Sequence, residues 1–357
     1  MADLARAART RSGRLATAGL AAVLEAVPDR VATFAVLTYH RVAPAAERPD
    51  LHPGLAVEPA EFERHVEWLV ARACVASPEA VVAACAGGPP IAPGSVLLTF
   101  DDAYADFADH AWPVLRRHHI PALLFVPTSY PDTLATFWWD ELHHALATTE
   151  RDAIELSTGV VGLTGTAARR GAFAELRRQV ASMPHDAGMD LVAEVVAAAG
   201  TPRPAPATLG WDAIRLMASQ GLSVGAHSRT HPRLDRLAAD RLEDEVAGSL
   251  ADLIERVPGA LPAFAYPGGG HDDRVVEVAA RAGIAAAFTT ERGLDGPIPV
   301  DPLRLHRINV GAGSTLPMLR AQRRTSAHAL LRLASIRPAG RARNDQQHRP
   351  ARRPLWS

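Results

Sequence analysis

Between Val31 and Phe288 short apolar runs alternate with segments of helical length, and no other feature restricts the chain as much. Strands that run parallel need crossover connections, for which helices are the usual solution, so the pattern predicts an α/β fold with a parallel sheet. The runs are Val31–Tyr39 (VATFAVLTY), Ser95–Phe100 (SVLLTF), Ile120–Val126 (IPALLFV), Leu222–Ala226, Ala263–Tyr266 and Ile284–Thr289, and Leu303–Val310 closes the set. The first two read as fully buried strands. Among the intervening segments, Pro59–Ala73 places Phe62, Val66, Leu69 and Val70 at i, i+4, i+7 and i+8, the spacing of one helix face. Tyr104–His119 (interrupted at Pro113), Trp211–Gln220, Ala238–Val257 and Asp272–Ala282 read as helices too. About seven parallel strands joined by helices predict a (β/α) barrel, incomplete or distorted, over residues 31–312. The rhythm breaks over 131–208, where Ala, Arg and Glu dominate without a clear strand. This stretch is expected to be a helical insertion or lid.

Composition excludes several alternatives. A chain of 357 residues, 48% hydrophobic and 22% charged, is globular and long enough for a sizeable core. Its two cysteines, Cys74 and Cys85, lack CxxC spacing and are too few for a disulfide framework. All 38 basic side chains are arginine, and the net charge of −1 conceals an asymmetry. From Arg320 to Ser357 arginines stand against a single acid, Asp345, so residues 313–357 read as a mobile basic tail able to touch anionic lipid or polymer. Basic residues are not interleaved with aromatics and the body is acidic, so nucleic acid is not an expected partner. At the other end, Arg6, Arg9, Arg11 and Arg14 precede a weakly apolar run, Leu15–Leu24, too short for the ~20 residues of a membrane span. No Ala-x-Ala cleavage site lies between it and the first strand. Residues 1–30 are therefore expected to form a basic amphipathic helix, and the protein to be cytoplasmic with peripheral membrane contact.

In a (β/α) barrel chemistry gathers at the carboxyl ends of the strands. Three polar clusters fall there: Thr99-Phe100-Asp101-Asp102, His227-Ser228-Arg229-Thr230-His231 and Tyr266-Pro267-Gly268-Gly269. Adjacent carboxylates leaving a strand point in different directions and can take two jobs, one binding metal and one acting as base. His227 and His231 are four apart, so a helical turn would bring both imidazoles to one face, although Pro232 disfavours a long regular helix there. Two imidazoles and one carboxylate form the open three-ligand site of catalytic zinc, which brings the pKa of a bound water to about 7. His40 ends the first strand and is expected in the same cavity. Trp138-Trp139-Asp140-Glu141 offers indole faces for a pyranose. His110, His118-His119 and His143-His144 lie in helical stretches and read as solvated. Gly268-Gly269-Gly270 is not a phosphate loop, since no Lys-Ser/Thr follows.

Thr99-Phe100-Asp101-Asp102-Ala103-Tyr104 followed by His227-Ser228-Arg229-Thr230-His231 resembles the first two motifs of the NodB-type polysaccharide deacetylases, carbohydrate esterase family 4. The resemblance covers about Ala35 to Val310, and includes Leu37-Thr38-Tyr39-His40-Arg41-Val42 and Phe264-Ala265-Tyr266-Pro267-Gly268-Gly269. It implies a distorted (β/α) barrel that removes N-acetyl or O-acetyl groups from amino-sugar polysaccharide, as in surface-glycan or exopolysaccharide synthesis. Asp101 would be the base that deprotonates water activated by a divalent metal, Zn2+ first among candidates, on Asp102, His227 and His231. The third motif implies Gly268 as oxyanion donor, with Tyr266, His40 and Trp139 toward the substrate. The family's late Leu-x-His segment has its counterpart here in Leu303-Arg304-Leu305-His306, which makes His306 the expected acid. Where the family's third motif carries an arginine that orients the aspartate, this chain has Ala265, and Arg307, or else Arg304, is expected to substitute. The same residues would also suit a deacylase of a small or lipid-linked sugar, or an inactive metal-containing glycan-binding protein.

Overall fold

The structure is a computed structural model that describes residues 32–323, apart from 45, 49, 73 and 74. Seven parallel strands, β1 (Ala35–Tyr39), β2 (Val96–Phe100), β3 (Leu123–Val126), β4 (Ser223–Ala226), β5 (Ala263–Ala265), β6 (Ala286–Phe288) and β7 (Ile308–Asn309), lie within the seven runs read from the sequence. Their order is β6-β5-β4-β3-β2-β1-β7, so each strand adds beside its predecessor until the last returns to the first. Leu305 bridges Phe288 of β6, and three residues later Ile308 pairs with Leu37 of β1. One segment thus touches both edges of the curled sheet and closes the barrel. β4 and β5 share a single pair in register, Ala226 with Phe264.

Side chains alternate across each strand. Leu37, Tyr39, Leu98, Phe100, Leu124, Val126 and Phe264 pack outward on the helices. Val36, Leu97, Phe125, Ala263, Ala265, Ala286, Phe288 and Leu305 form a separate inner cluster. The inner residues of β5 are small, and Gly225 of β4 has no room for a Cβ, which would lie 2.8 Å from the Phe125 ring and 2.9 Å from the Ala263 carbonyl.

The helices follow the reading with two revealing breaks. Tyr104–His119 becomes a wide π turn, Phe107–Ala111, and then a helix, Trp112–Arg117, so that Pro113 sits in a first turn where its missing N–H costs nothing. Ala238–Val257 is likewise interrupted by a π turn at Asp244–Gly248, a distortion common near functional sites. Within 131–208 lie three helices, Trp138–Thr148, Gly165–Ser182 and His185–Ala199. Between the first two lies an antiparallel hairpin, Ala153–Leu156 with Gly159–Gly162, which the sequence reading did not contain, because strands of four residues give too short an alternation. Leu142, Leu146, Ile154, Phe173, Leu176 and Val195 give the insertion a core of its own. Helix Leu316–Gln322 docks on the barrel, the Leu316 N–H donating to Glu61 at 2.7 Å, so the folded body runs past residue 313 where the basic tail was expected to begin. The expected N-terminal helix of residues 1–30 and the rest of the basic tail lie outside the described residues. Among the described residues no helix is long and apolar enough to cross a membrane.

Candidate active site

Continuing the inward alternation one step past each strand end predicts the rim of the barrel. Val36 and Thr38 of β1 lead to His40, Leu97 and Thr99 of β2 to Asp101, and Gly225 of β4 to His227. The two threonines fill the layer beneath, hydrogen-bonded to each other at 3.2 Å. Above them opens a cleft of 670 Å³ lined by His40, Asp101, Asp102, His227, His231 and Gly268, with residues of the insertion as its other wall.

Asp102 should point away from this cleft, being the residue after an inward one. Its backbone is left-handed, φ 73°, and so is that of Ala103, φ 51°, which swings the carboxylate inward. Ser228 (φ 60°) and His231 (φ 58°) make the corresponding turn in the facing loop. Such conformations cost non-glycine residues about 1–2 kcal/mol each, and here they cluster in the two loops that carry the metal-type side chains. His227 and His231 share a face through this tight loop, not through the helical turn their spacing had suggested.

The Asp102 Oδ1 lies 3.4 Å from His227 Nε2 and 3.2 Å from His231 Nε2. The three donors fall within 4.8 Å of one another, and the buried Oδ1 has no hydrogen-bond partner. Burial pushes the Asp102 carboxyl up, but its contacts with His227 and His231 outweigh this and hold it well below the usual range. His227 Nδ1 is 2.7 Å from the Ala265 carbonyl, to which it donates, leaving Nε2 free to ligate. An anionic oxygen and two imidazole nitrogens, convergent and otherwise uncommitted, fit a divalent cation. His231 is backed by the Trp139 ring, edge-on at 4.8 Å, and its backbone N–H donates to Ser228 Oγ at 3.0 Å. Glu245, on the Asp244–Gly248 π turn, accepts the N–H groups of Arg229 and Thr230 at 2.9 Å each and the Thr230 hydroxyl. Arg229 forks onto Asp252 at 2.8 and 2.9 Å. The sequence reading missed these anchors, because only the packing of the following helix against the loop reveals them.

Asp101 has a different partner. Arg307 meets it with a bidentate fork, Nη1 to Oδ1 and Nη2 to Oδ2 at 2.8 Å each, and both side chains are buried. Burial pushes the Asp101 carboxyl up, but Arg307, with His227 and His40, holds it below its ordinary value. Ala265 presents only a methyl group to the interior, and the guanidinium that orients the aspartate comes instead from the segment leading into β7. Arg304 stays on the surface with Asp301 and Asp273.

Two expectations on side chains are corrected. His306 does not line the cleft: Leu305 and Arg307 take the inward positions, so it faces outward with Nδ1 2.8 Å from Asp295. Tyr266 also faces outward, where its hydroxyl donates to the Leu303 carbonyl at 3.0 Å and its ring stacks on His271. Trp139 does line the cleft, but its indole N–H donates to Tyr104 at 2.9 Å and its ring packs on His231 and Phe137, making it a buttress for a ligand, with Trp138 more exposed beside it. Gly268 lines the cleft in a left-handed conformation, φ 56°. Burial lowers the His40 pKa, keeping that imidazole neutral. The helical histidines are less solvated than expected, His110 pairing with Glu47 at 2.7 Å and His143 packing on Phe173.

A sequence profile of polysaccharide deacetylases matches residues 90–287. No curated protein sequence matches. Among solved structures, the Streptococcus pyogenes deacetylase PplD, solved with acetate, is 20% identical, with a TM-score of 0.55 over 80% of this chain and 96% of its own. IcaB from Ammonifex degensii is 20% identical at a TM-score of 0.52, over 82% and 97%. A polysaccharide deacetylase from Bacillus cereus is 18% identical at 0.54, over 82% and 69%. At these identities the structures speak for a shared fold, and the profile, which spans more than half of the chain, speaks for the family. The chain belongs to the polysaccharide deacetylases, hydrolases of carbon–nitrogen bonds other than peptide bonds.

Proposed function

We propose that this protein removes N-acetyl, or O-acetyl, groups from an amino-sugar polysaccharide in surface-glycan or exopolysaccharide synthesis, using Asp101 as base and a divalent cation, Zn2+ first, held by Asp102, His227 and His231. The observation that carries this reading is the division of labour between adjacent aspartates. Asp102 faces two imidazoles with an uncommitted oxygen, whereas Asp101 is locked onto Arg307. When bound, such an ion supplies a Lewis acid and lowers the pKa of water to about 7.

The remaining work belongs to the chain. Asp101 Oδ2 stands 4.0 Å from His227 Nε2, beside the ligand set, where a carboxylate kept ionised by Arg307 can accept a proton from water. With His306 outside the cleft, Asp101 is also the group placed to return that proton to the leaving amine. The backbone N–H of Gly268 serves as oxyanion donor, a group preorganised by the left-handed turn. Zinc suits two nitrogens and one oxygen with an open position, and the softer preferences among divalent ions leave Co2+ and Ni2+ as substitutes. The test is acetate release from N-acetylglucosamine oligomers by zinc-loaded protein and by the same protein after EDTA. Release that stops with EDTA and returns with zinc supports the reading; release unaffected by metal removal overturns it.

A further inference from the structure

We propose that the acylated sugar bound in this cleft carries an anionic group, a carboxylate or a phosphate, and that Arg177 of the insertion recognises it. The proposal rests on the deacetylase reading and adds the charge of the substrate.

Four guanidinium groups line the cleft, those of Arg177, Arg178, Arg233 and Arg236. The carboxylates lining it are Asp101 and Asp102, one held by Arg307 and the other turned to the two imidazoles. The guanidinium groups stand on the walls around these carboxylates. Three of the arginines have local partners: Arg178 pairs with Glu175, and Arg233 and Arg236 share Asp235. Arg177 has none among the described residues. On helix Gly165–Ser182 a carboxylate three or four residues away would pair with it, but those positions are Phe173, Ala174, Val180 and Ala181. Ala174, Val180 and Ala181 themselves line the cleft beside it. A free cation on the cleft wall gains nothing from a neutral ligand. For an anion it is a charge-assisted donor at the exposed rim of the cleft, with no carboxylate among the described residues to compete for it. Its neighbour His52 does not compete for the anion, since burial first, and the charge of Arg177 next, push that imidazole down to about 3.

The test compares acetate release from neutral N-acetylglucosamine oligomers, from N-acetylated aminouronic acid oligomers and from N-acetylglucosamine 1-phosphate, using wild type, Arg177→Gln and Arg177→Lys. We expect a lower KM for at least one anionic substrate, and whichever shows it distinguishes carboxylate from phosphate. Arg177→Gln should erase about tenfold of that preference, through KM and not kcat, as loss of one charge-assisted contact of about 1.4 kcal/mol requires. Arg177→Lys should restore part of it. Binding of the same sugars to metal-free protein, followed by tryptophan fluorescence, decides the question independently of turnover. Absence of acetate release from all three would then count against the deacetylase reading alone. Equal affinity for neutral and anionic sugars, indifferent to Arg177→Gln, would overturn the anion subsite.

Discussion

On the barrel side of the cleft Asp101, Asp102 and His227 are buried, hung on strand ends and held by neighbours that leave them one orientation. On the insertion side Arg177 and Arg178 are exposed, carried on a helix that packs in a separate hydrophobic core. Rigid strand termini suit chemistry, which needs carboxylates and imidazoles in place before substrate arrives. Helix surfaces over an independent core suit recognition, which can change without disturbing the reaction. The seam between the two is pinned by Asp140, which accepts the His52 N–H at 2.7 Å and the Tyr104 hydroxyl at 2.6 Å.

The largest effect should come from the barrel. His227→Ala or His231→Ala should lose the metal, with activity falling by more than about 100-fold, as metal analysis and acetate release on one sample would show. A variant that keeps stoichiometric metal would break the ligand assignment. Arg307→Met comes next. It leaves the buried Asp101 carboxylate without its fork, and should cost about 3–5 kcal/mol by denaturant unfolding. Arg307→Lys should recover little, since an ammonium cannot make both contacts. Arg304→Ala, on the surface, should stay within about 0.5 kcal/mol.

The insertion should respond differently. Leu176→Ala removes a core side chain from the helix that presents Arg177, and should loosen the insertion by about 2–5 kcal/mol. KM should rise while bound metal stays stoichiometric; loss of metal would show that the two walls are not separable. A smaller effect than that of the insertion core lies at the seam. Burial first, against the opposing His52 and Tyr104 contacts, pushes the Asp140 carboxyl up to about 6. A folded pKa above the unfolded one means that the native state binds the extra proton. Stability tied to Asp140 is then full below about pH 4, and declines by about 1–3 kcal/mol as pH rises through 6. Comparing unfolding midpoints of wild type and Asp140→Asn at pH 4.5 and 7 isolates this contribution; an unchanged difference between the two would contradict it.

The same contrast governs what could be read from the sequence. Buried strands announce themselves as continuous apolar runs, and the polar residues that follow them locate the rim, so Asp101, Asp102, His227 and His231 were legible. Strand phase was legible only where a run was long. At β7, with two residues in the ladder, nothing in Leu303–Val310 shows that Leu305 and Arg307 turn inward, so His306 was misplaced and Arg307 rested on the need for a partner to Asp101. Tyr266 failed for the same one-residue reason. The inward swing of Asp102 depends on a left-handed backbone that alternation argues against. Glu245 acts across the fold, through contacts that local pattern does not encode.

The central claim is that neighbouring aspartates divide the work, Asp102 toward the cation and Asp101 toward the proton. Asp101→Asn tests it most directly, with zinc content and acetate release measured on the same preparation. The account predicts stoichiometric zinc with turnover reduced by about 10²–10⁴-fold, the usual contribution of a positioned base. Turnover near the wild-type rate, or loss of zinc with the substitution, would contradict it.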